Sequence, residues 1–285
     1  METANPMRLI MLVALTMVAF AANSVLNRMA LSGGEAGAAG FAALRLLSGA
    51  LVLALLVQIR GRASWRLTSV VGPFSLLAYV LGFSFAYISL DAGLGALILF
   101  GGVQVTMFAG ALLRQEHVPP MRWAGVSLAF AGLAFLMWPN SATPVPVGGA
   151  ALMLIAALGW GIYSLVGAKA DDPLAATARN FVWATPLGLL PAFFLWDGMS
   201  GTGALLAALS GAVTSGLGYA LWYRVLPELP SSVAAVAQLT VPIIALAGGV
   251  LFLGEPPSWR FAVAASMVLG GVVLSLYRTK GSKAS

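Results

Sequence analysis

The amino-acid sequence predicts an all-α membrane protein with ten transmembrane helices, arranged as two inverted five-helix repeats. Three observations predict this fold: an apolar composition, ten apolar runs of similar length, and a second half that resembles the first. Hydrophobic residues make up 60% of the 285 residues and charged residues only 8%, and the mean hydropathy is +0.94. Because a water-soluble domain could not cover its surface with so few charges, the chain is expected to lie in a lipid bilayer.

Each predicted helix is an apolar run of about 20 residues, the length that crosses the hydrocarbon core of a bilayer. The first half contains the runs 6–26, 39–58, 70–90, 92–113 and 123–138. The second half contains the runs 147–167, 177–196, 203–223, 231–253 and 259–277. These runs leave on the order of 85 residues for tails and loops, so no extramembrane domain is expected.

A duplication relates the two halves. Glu116 and Glu255 lie 255 − 116 = 139 residues apart in similar Pro-rich segments, and a shift of 140 near the start aligns Phe20 with Trp160. Each half contains an odd number of helices, so the second half enters the membrane in the opposite sense, as in many secondary transporters. The two predicted units are residues 1–140 and 141–285.

The basic residues predict the orientation. With the N terminus in the cytoplasm, 12 of the 15 Lys and Arg residues fall on the inner side, and only Arg28, Arg45 and Arg260 fall outside. This distribution follows the positive-inside rule and predicts that both termini are cytoplasmic, in a bacterial inner membrane. A net charge of +6 would suggest a nucleic-acid partner for a soluble protein. Here the charges lie in short loops between apolar runs, so no nucleic acid is expected.

Two Pro-rich turns that carry a glutamate, LRQEHVPPMRW and LGEPPSWRF, and the stretch LPELPSSVAAVAQLTVPI resemble the EamA repeats of the drug/metabolite transporter superfamily. The resemblance covers essentially the whole chain and is specific in the second half. In the first half, Val103 stands where the second has Pro242, and its segment LGALILFGGVQVTM resembles the YddG-type aromatic amino acid exporters. The resemblance implies a ten-helix basket around a central cavity, alternating access, and export of amino acids or similar metabolites.

Polar and aromatic side chains deep in the predicted helices are candidate binding residues. A cavity for an apolar ring needs large flat walls and a few polar groups that orient the ligand. Several candidates fall on one helix face at spacings of three or four. The candidates are Thr16, Phe20, Asn23, Tyr79, Phe83, Phe100, Gln104, Trp160, Tyr163 and Gln238. The alternatives are packing for the aromatic rings and helix-to-helix hydrogen bonding for Asn23 and Gln104.

Three residues are candidate hinges. Pro242 lacks an amide hydrogen, and its ring collides with the carbonyl of Gln238 four residues earlier, which predicts a break in the ninth helix. Gly101 and Gly102 occupy nearly the equivalent place in the first half and give flexibility by a different route. The alternative is a structural kink at Pro242 whose freed carbonyl is satisfied by a neighbouring helix.

Two arginines, Arg45 and Arg179, lie just inside their predicted helices at equivalent places in the two halves. A guanidinium in such a position could bind the carboxylate of an amino acid. The sequence favours the alternative that both side chains reach the interface or cap a loop, because long cationic side chains extend towards water.

The acidic residues lie in loops or at helix ends, and so does the single histidine, His117. Proton-coupled carriers usually relay protons through buried carboxylates or imidazoles, so uncoupled movement is favoured over proton exchange. An intramembrane enzyme or a metal site would need a placed acid, base, nucleophile or ligand, and no catalytic residue, metal or cofactor is expected.

The sequence therefore predicts a carrier that exports aromatic or hydrophobic amino acids and related small metabolites. The alternatives are a broad-specificity drug or other metabolite exporter and, outside transport, a membrane-embedded lipid-modifying enzyme. A phosphorylated substrate is disfavoured, because it would need Lys or Arg deep in the cavity. The expected partners are the small-molecule substrate and the lipid bilayer, and the oligomeric state is open, with a monomer plausible.

Overall fold

The computed structural model describes residues 6–61, 64–113, 115, 119–138, 145–167, 170–196, 198–229, 237–238 and 240–276. These residues form ten helices, and the only β pairing among them is an isolated bridge between Ala36 and Met199. The prediction of an all-helical chain with ten helices is confirmed for this part of the chain.

The ten helices follow one another along the chain. The first five are α1 (Pro6–Ser32), α2 (Ala38–Ile59), α3 (Val71–Ala86), α4 (Ala92–Leu113) and α5 (Pro120–Met137). The second five are α6 (Val147–Gly167), α7 (Pro173–Phe194), α8 (Gly201–Glu228), α9 (Val241–Leu253) and α10 (Trp259–Leu276).

Helix α8 is not uniform. It begins as an α-helix over Gly201–Leu209, widens into a π-helix over Ser210–Leu217, and returns to an α-helix over Gly218–Val225 before a final 3₁₀ turn. Wide helical turns of this kind are rare and occur often at functional sites. The prediction placed an ordinary helix here, and the wide turn was missed.

Five helices are long and apolar enough to cross a membrane: α1, α2, α4, α6 and α8. Large apolar side chains such as Phe193, Leu251 and Phe252 are exposed on the outside of the bundle, where lipid can cover them. The protein is a multi-pass membrane protein. Helix α9 is shorter than the predicted run 231–253, of which residues 231–236 and 239 lie outside the described residues.

Local chemistry sets several helix ends. The Asp172 carboxylate accepts a hydrogen bond from Ala175 N at 3.0 Å and caps α7, and the Ser200 hydroxyl caps α8 in the same way through Gly203 N at 2.9 Å. Gly254 ends α9 with φ at 66°, a left-handed conformation that glycine adopts without strain. This turn directs the following residue, Glu255, back towards the bundle.

The bundle has two ends, which we name by residues that mark them. The Glu255 end holds the α3–α4 and α9–α10 loops and the last turns of α1. The Arg122 end holds the start of α5 and the end of α8. Helix α2 packs on α7, α3 on α6, and α5 on α10. The pairs α2–α7 and α5–α10 are those that the predicted repeats would relate, but Glu116, which marks the first repeat, lies outside the described residues.

Candidate functional site

A cavity of about 460 Å³ lies among α1, α4, α5, α6, α8 and α10. Its deep part is lined by Phe20, Trp160 and Trp222, and it extends to Arg122 and Leu226 at the Arg122 end. The predicted candidates Gln104 and Gln238 also line it. The cavity thus combines flat aromatic walls with amide groups, the composition expected of a small-molecule site.

A second, much smaller cavity of about 20 Å³ lies deeper in the bundle and shares Phe20 and Trp160 with the first. Of the remaining predicted residues, it is lined by Asn23, Tyr79, Phe83 and Phe100. Eight of the ten predicted binding residues therefore line one of these two cavities, and the rings of Phe20 and Trp160 line both.

Aromatic rings pack closely around Trp160. The centroid of its ring lies 4.9 Å from that of Tyr79, 5.0 Å from that of Tyr219 and 5.5 Å from that of Tyr163, with the last pair stacked at 21°. Phe20 extends this wall, since its ring lies 5.8 Å from Tyr219. Ring pairs at these distances add to the stability of a site beyond the burial of their area.

Buried polar side chains follow the aromatic wall towards the Glu255 end. Asn23 Oδ1 accepts hydrogen bonds from the Ser210 hydroxyl at 2.7 Å and the Thr214 hydroxyl at 3.1 Å. Asn23 Nδ2 donates to Tyr79 Oη at 3.3 Å. Asn27 continues the network, because its amide donates to Ser210 Oγ at 3.2 Å. The network joins α1 and α3 to the π-helical part of α8.

Arg45 is the largest fully buried side chain among the described residues. Its Nη2 donates to Tyr79 Oη at 2.9 Å, and its Nε donates to Ser215 Oγ at 3.2 Å. Its guanidinium carbon lies 5.1 Å from the centroid of the Tyr79 ring and 5.0 Å from that of Phe83, within range of cation–π attraction. The prediction that Arg45 reaches the interface or caps a loop is wrong, because its side chain is fully buried and its polar partners lie within α3 and α8. Its predicted equivalent, Arg179, is half-buried.

Glycine allows the π-helical segment to approach Arg45. A β carbon at Gly211 would overlap the Ser48 hydroxyl and the backbone carbonyl of Arg45. Helices α2 and α8 therefore touch through their backbones at this point. The close approach brings Ser215, one turn further on, within reach of the guanidinium.

An ion-pair cluster lies at the Glu255 end. Arg28 Nε donates to Glu255 Oε1 at 3.1 Å, and Arg28 Nη2 lies 3.4 Å from Asp91 Oδ1. Glu255 Oε2 accepts from Ala92 N at 2.8 Å. Burial raises the pKa of Glu255 above its usual value, and the bonds from Ala92 and Arg28 oppose this rise.

The other predicted residues are held within the fold. The Thr16 hydroxyl donates to Leu12 O of its own helix at 2.8 Å, and the Tyr163 hydroxyl donates to Thr177 Oγ1 at 3.1 Å. Neither residue lines the cavities described above, although Tyr163 supports Trp160 by stacking.

Of the three predicted hinge residues, Gly101 and Gly102 lie against neighbouring helices and Pro242 lies at the start of a helix. A β carbon at Gly101 would lie 3.0 Å from Leu133, and one at Gly102 would lie 2.8 Å from Ala157, so both glycines sit against neighbouring helices. Pro242 lies in the first turn of α9, where its missing N–H removes no helical hydrogen bond. A hinge role for these residues stays a prediction.

Sequence reasoning missed several residues of the site. Tyr219 and Trp222 were not among the candidates, although their spacing of three places them on one face of α8. Arg122, assigned to an inner loop, lines the cavity at its mouth. Within the described ranges, no three His, Asp or Glu side chains gather in a way that could hold a metal ion.

The sequence and the fold of this chain are similar to those of known proteins. The model of the EamA-like transporter family matches residues 147–277. An uncharacterized protein of Pseudomonas aeruginosa is 46% identical over 277 residues, which covers 94% of each chain. A probable amino-acid metabolite efflux pump of Salmonella typhimurium is 26% identical over 229 residues, 74% of each chain. A solved protein crystal structure superposes with a TM-score of 0.62 at 19% identity, over 92% of this chain and 97% of the other.

Proposed function

This chain belongs to the EamA-like transporter family of the drug/metabolite transporter superfamily and is a membrane metabolite exporter, and from that premise we propose that it carries aromatic and other hydrophobic amino acids by alternating access. The observation that carries this proposal is the aromatic wall around Trp160 inside the 460 Å³ cavity. Such a wall favours a flat apolar group of the substrate by stacking and burial. The name of the Salmonella relative supports an amino-acid substrate.

Amide groups supply the polar part of the proposed site. Gln104 on α4 and Gln238 before α9 line the same cavity as Trp160. An amide offers both donors and an acceptor, so it can orient the ammonium or carboxylate of an amino acid. Because the walls are mostly apolar, similar side chains would be separated by only about 1 to 3 kcal/mol, and the exporter would accept several related substrates.

The two ends of the bundle support alternating access. The Arg28–Glu255 ion pair joins α1 to the α9–α10 loop at one end, whereas the large cavity reaches Arg122 and Leu226 at the other. With the N terminus in the cytoplasm, as the basic residues predict, the cavity faces the cytoplasm and the external end is closed. An exporter in this state is ready to receive its substrate.

We propose that transport follows the substrate gradient without protons. The described acidic residues lie in loops or at helix ends, namely Glu35, Asp91, Asp171, Asp172, Glu228 and Glu255. None of them lines either cavity. A proton relay through the bundle would use carboxylates or imidazoles near mid-membrane.

The test is uptake of labelled phenylalanine, tryptophan and leucine into liposomes that contain the purified full-length protein. We expect uptake down an imposed substrate gradient, above that of protein-free liposomes and unchanged by a protonophore. A strict requirement for a pH gradient would overturn the uncoupled mechanism. Uptake of drug-like cations without uptake of any amino acid would favour the broad-specificity alternative instead.

A further inference from the structure

A buried charge without a counter-ion stands beside the smaller cavity. In the described part of the chain, the ion pairs are Arg28–Asp91 and Arg28–Glu255, and neither involves Arg45. Arg45 Nη1 is buried without a hydrogen-bond partner among the described residues. Arg45 lies seven residues into α2, roughly 10 Å from its start at 1.5 Å per residue. An intramembrane guanidinium in this condition is costly, and such residues mark substrate pathways.

Two tyrosine hydroxyls adjoin this charge. Tyr79 Oη already accepts from Arg45 Nη2 and from Asn23 Nδ2, so its own hydrogen is directed away from both. Tyr219 has a buried hydroxyl that makes no hydrogen bond of regular geometry to the described residues, and its closest polar neighbour is the Tyr79 hydroxyl. Both tyrosines line the smaller cavity, and both rings pack on Trp160.

The surroundings of these hydroxyls are thus rich in donors and poor in acceptors. A buried donor without an acceptor carries a desolvation penalty that an incoming acceptor would remove. A negatively charged acceptor would in addition neutralise the field of the guanidinium, which acts strongly where water is excluded. The smaller cavity is about 20 Å³, so either the anion is small or the rings move when it enters.

We propose that the hydroxyls of Tyr79 and Tyr219 bind the carboxylate of the transported substrate, and that Arg45 stabilises this carboxylate from behind Tyr79. Arg45 is not part of the cavity lining, so it acts as a positioning residue through Tyr79. The charge of a carboxylate matches the site. A carboxylate carries one negative charge, and Arg45 supplies one positive charge that no described acidic residue neutralises. This inference rests on the proposed export function and names the chemical group that every substrate would share.

The proposed carboxylate site also predicts the orientation of the bound substrate. With its carboxylate at Tyr79 and Tyr219, an aromatic side chain would extend past Phe20 and Trp160 into the larger cavity, because these two residues line both spaces. The carboxylate would then be the deepest part of the ligand. Gln104 and Gln238 would lie on the side of the larger cavity and contact the rest of the molecule.

The experiment compares carboxylates with their neutral amides. Binding to the purified full-length protein and uptake into liposomes are measured for phenylalanine and phenylalaninamide, leucine and leucinamide, and hydrocinnamate and hydrocinnamamide. The wild-type protein is expected to prefer the carboxylate in each pair by about tenfold to a hundredfold, the range of charge-assisted hydrogen bonds.

The decisive variant is Tyr219→Phe. It keeps the ring that packs on Trp160 and removes only a hydroxyl that makes no hydrogen bond of regular geometry, so the fold is expected to persist. We expect it to reduce the preference for carboxylates severalfold or more, and Arg45→Gln to reduce it further. Arg45→Lys is expected to restore part of the preference, because it returns the charge without the fork geometry.

Tyr87→Phe is the matched control. The Tyr87 hydroxyl donates to Ala92 O at 3.2 Å and Tyr87 lines neither cavity, so this variant should leave the carboxylate-to-amide ratio unchanged. If Arg45→Gln fails to fold, Tyr219→Phe still tests the proposal. If Tyr219→Phe keeps the wild-type ratio, or if the wild-type protein discriminates in none of the three pairs, the proposal is wrong.

The same measurements separate this proposal from the export function. Equal uptake of carboxylates and amides would overturn the carboxylate site and leave the exporter standing. A carboxylate preference in all three pairs, together with better uptake of leucine than of phenylalanine, would support the site and overturn the preference for aromatic substrates. Absence of binding and uptake for all six compounds would overturn both proposals.

Discussion

Arg28 and Glu255 form an ion pair that joins the two halves of the chain, with 3.1 Å between Arg28 Nε and Glu255 Oε1. The same guanidinium donates through Nη1 to the carbonyls of Tyr87 and Ile88 at 3.1 and 2.9 Å, and the same carboxylate accepts from Ala92 N. Three chain segments therefore meet at one buried carboxylate. Under the proposed alternating access, opening of the Glu255 end would require these bonds to break.

The first prediction is that Arg28→Ala opens the Glu255 end. The chain contains no cysteine, so Ser24→Cys gives a single thiol at a buried position that lines the smaller cavity. In intact cells, labelling of this thiol by a membrane-impermeant maleimide should be faster when Arg28→Ala is also present. A change of about 1.4 kcal/mol in the closed-to-open equilibrium would alter the open population about tenfold.

Asp91→Asn is the control for this experiment. The Asp91 side chain is 48% exposed and lies 3.4 Å from Arg28, and exposed ion pairs contribute little to stability. We expect labelling close to that of the single Ser24→Cys protein. Equal labelling in the Arg28→Ala background would show that the ion pair does not hold this end closed.

The second prediction concerns the pH dependence of stability. Burial raises the pKa of Glu255 above 4.5, the usual value, so the folded protein binds this proton more readily than the unfolded chain does. The contribution of Glu255 to the free energy of unfolding is therefore smallest at neutral pH and increases as the pH falls through the folded-state pKa. The thermal stability of the wild-type protein in detergent should rise relative to Glu255→Gln as the pH approaches 4.5. A difference that is constant with pH, or that changes in the opposite direction, would contradict this assignment.

Much of the fold could be predicted from the sequence, because the length of apolar runs is set by the bilayer. The predicted runs 92–113 and 147–167 coincide with α4 and α6 as the structure has them. The predicted end of the run 231–253 coincides with the end of α9 at Leu253, whereas its predicted start lies outside the described residues. The π-helical part of α8 was beyond sequence reasoning, because the hydropathy and spacing of its SGAVTSGL segment do not distinguish a wide helical turn from a regular one.

The site was predicted less completely. Aromatic residues in apolar runs indicated a cavity, and Phe20, Trp160 and Gln104 do line one. Arg45 was misplaced because its partners Tyr79 and Ser215 lie 34 and 170 residues away, and no local pattern reports such contacts. The preference of arginine for the interface describes a single helix in lipid, whereas a bundle can supply hydroxyls and rings around a guanidinium.

The third prediction tests the contact between α2 and α8. Gly211→Ala should lower the stability of the protein by about 1 to 3 kcal/mol, because the added methyl group would overlap Ser48 and the Arg45 carbonyl. Gly270→Ala is the matched control, since a β carbon there meets nothing within 4 Å. Thermal unfolding in detergent should separate the two variants. Equal stability would mean that the backbones of α2 and α8 can move apart at no cost.

The fourth prediction concerns the aromatic wall. Trp160→Ala removes a ring that packs on Tyr79, Tyr163 and Tyr219, and its loss should weaken transport of an aromatic substrate. The truncation removes ring burial and ring–ring contact worth on the order of 1 to 3 kcal/mol, which corresponds to roughly tenfold to hundredfold in affinity. An aliphatic substrate loses less, because it never had the ring–ring contact. The measurement is the ratio of phenylalanine to leucine uptake per folded protein in liposomes.

A packing role for Trp160 predicts a different result, and Trp138→Ala is the control for the loss of a tryptophan. Trp138→Ala removes a side chain that is 71% exposed and lines neither cavity, so any general effect of losing a tryptophan should appear there as well. If Trp160 only packs, Trp160→Ala lowers the folded yield and affects both substrates alike, so that the phenylalanine-to-leucine ratio equals that of the wild-type protein. A lower ratio in Trp160→Ala, with the ratio of Trp138→Ala unchanged, assigns the ring to substrate binding, because only a contact with the substrate can distinguish an aromatic from an aliphatic side chain.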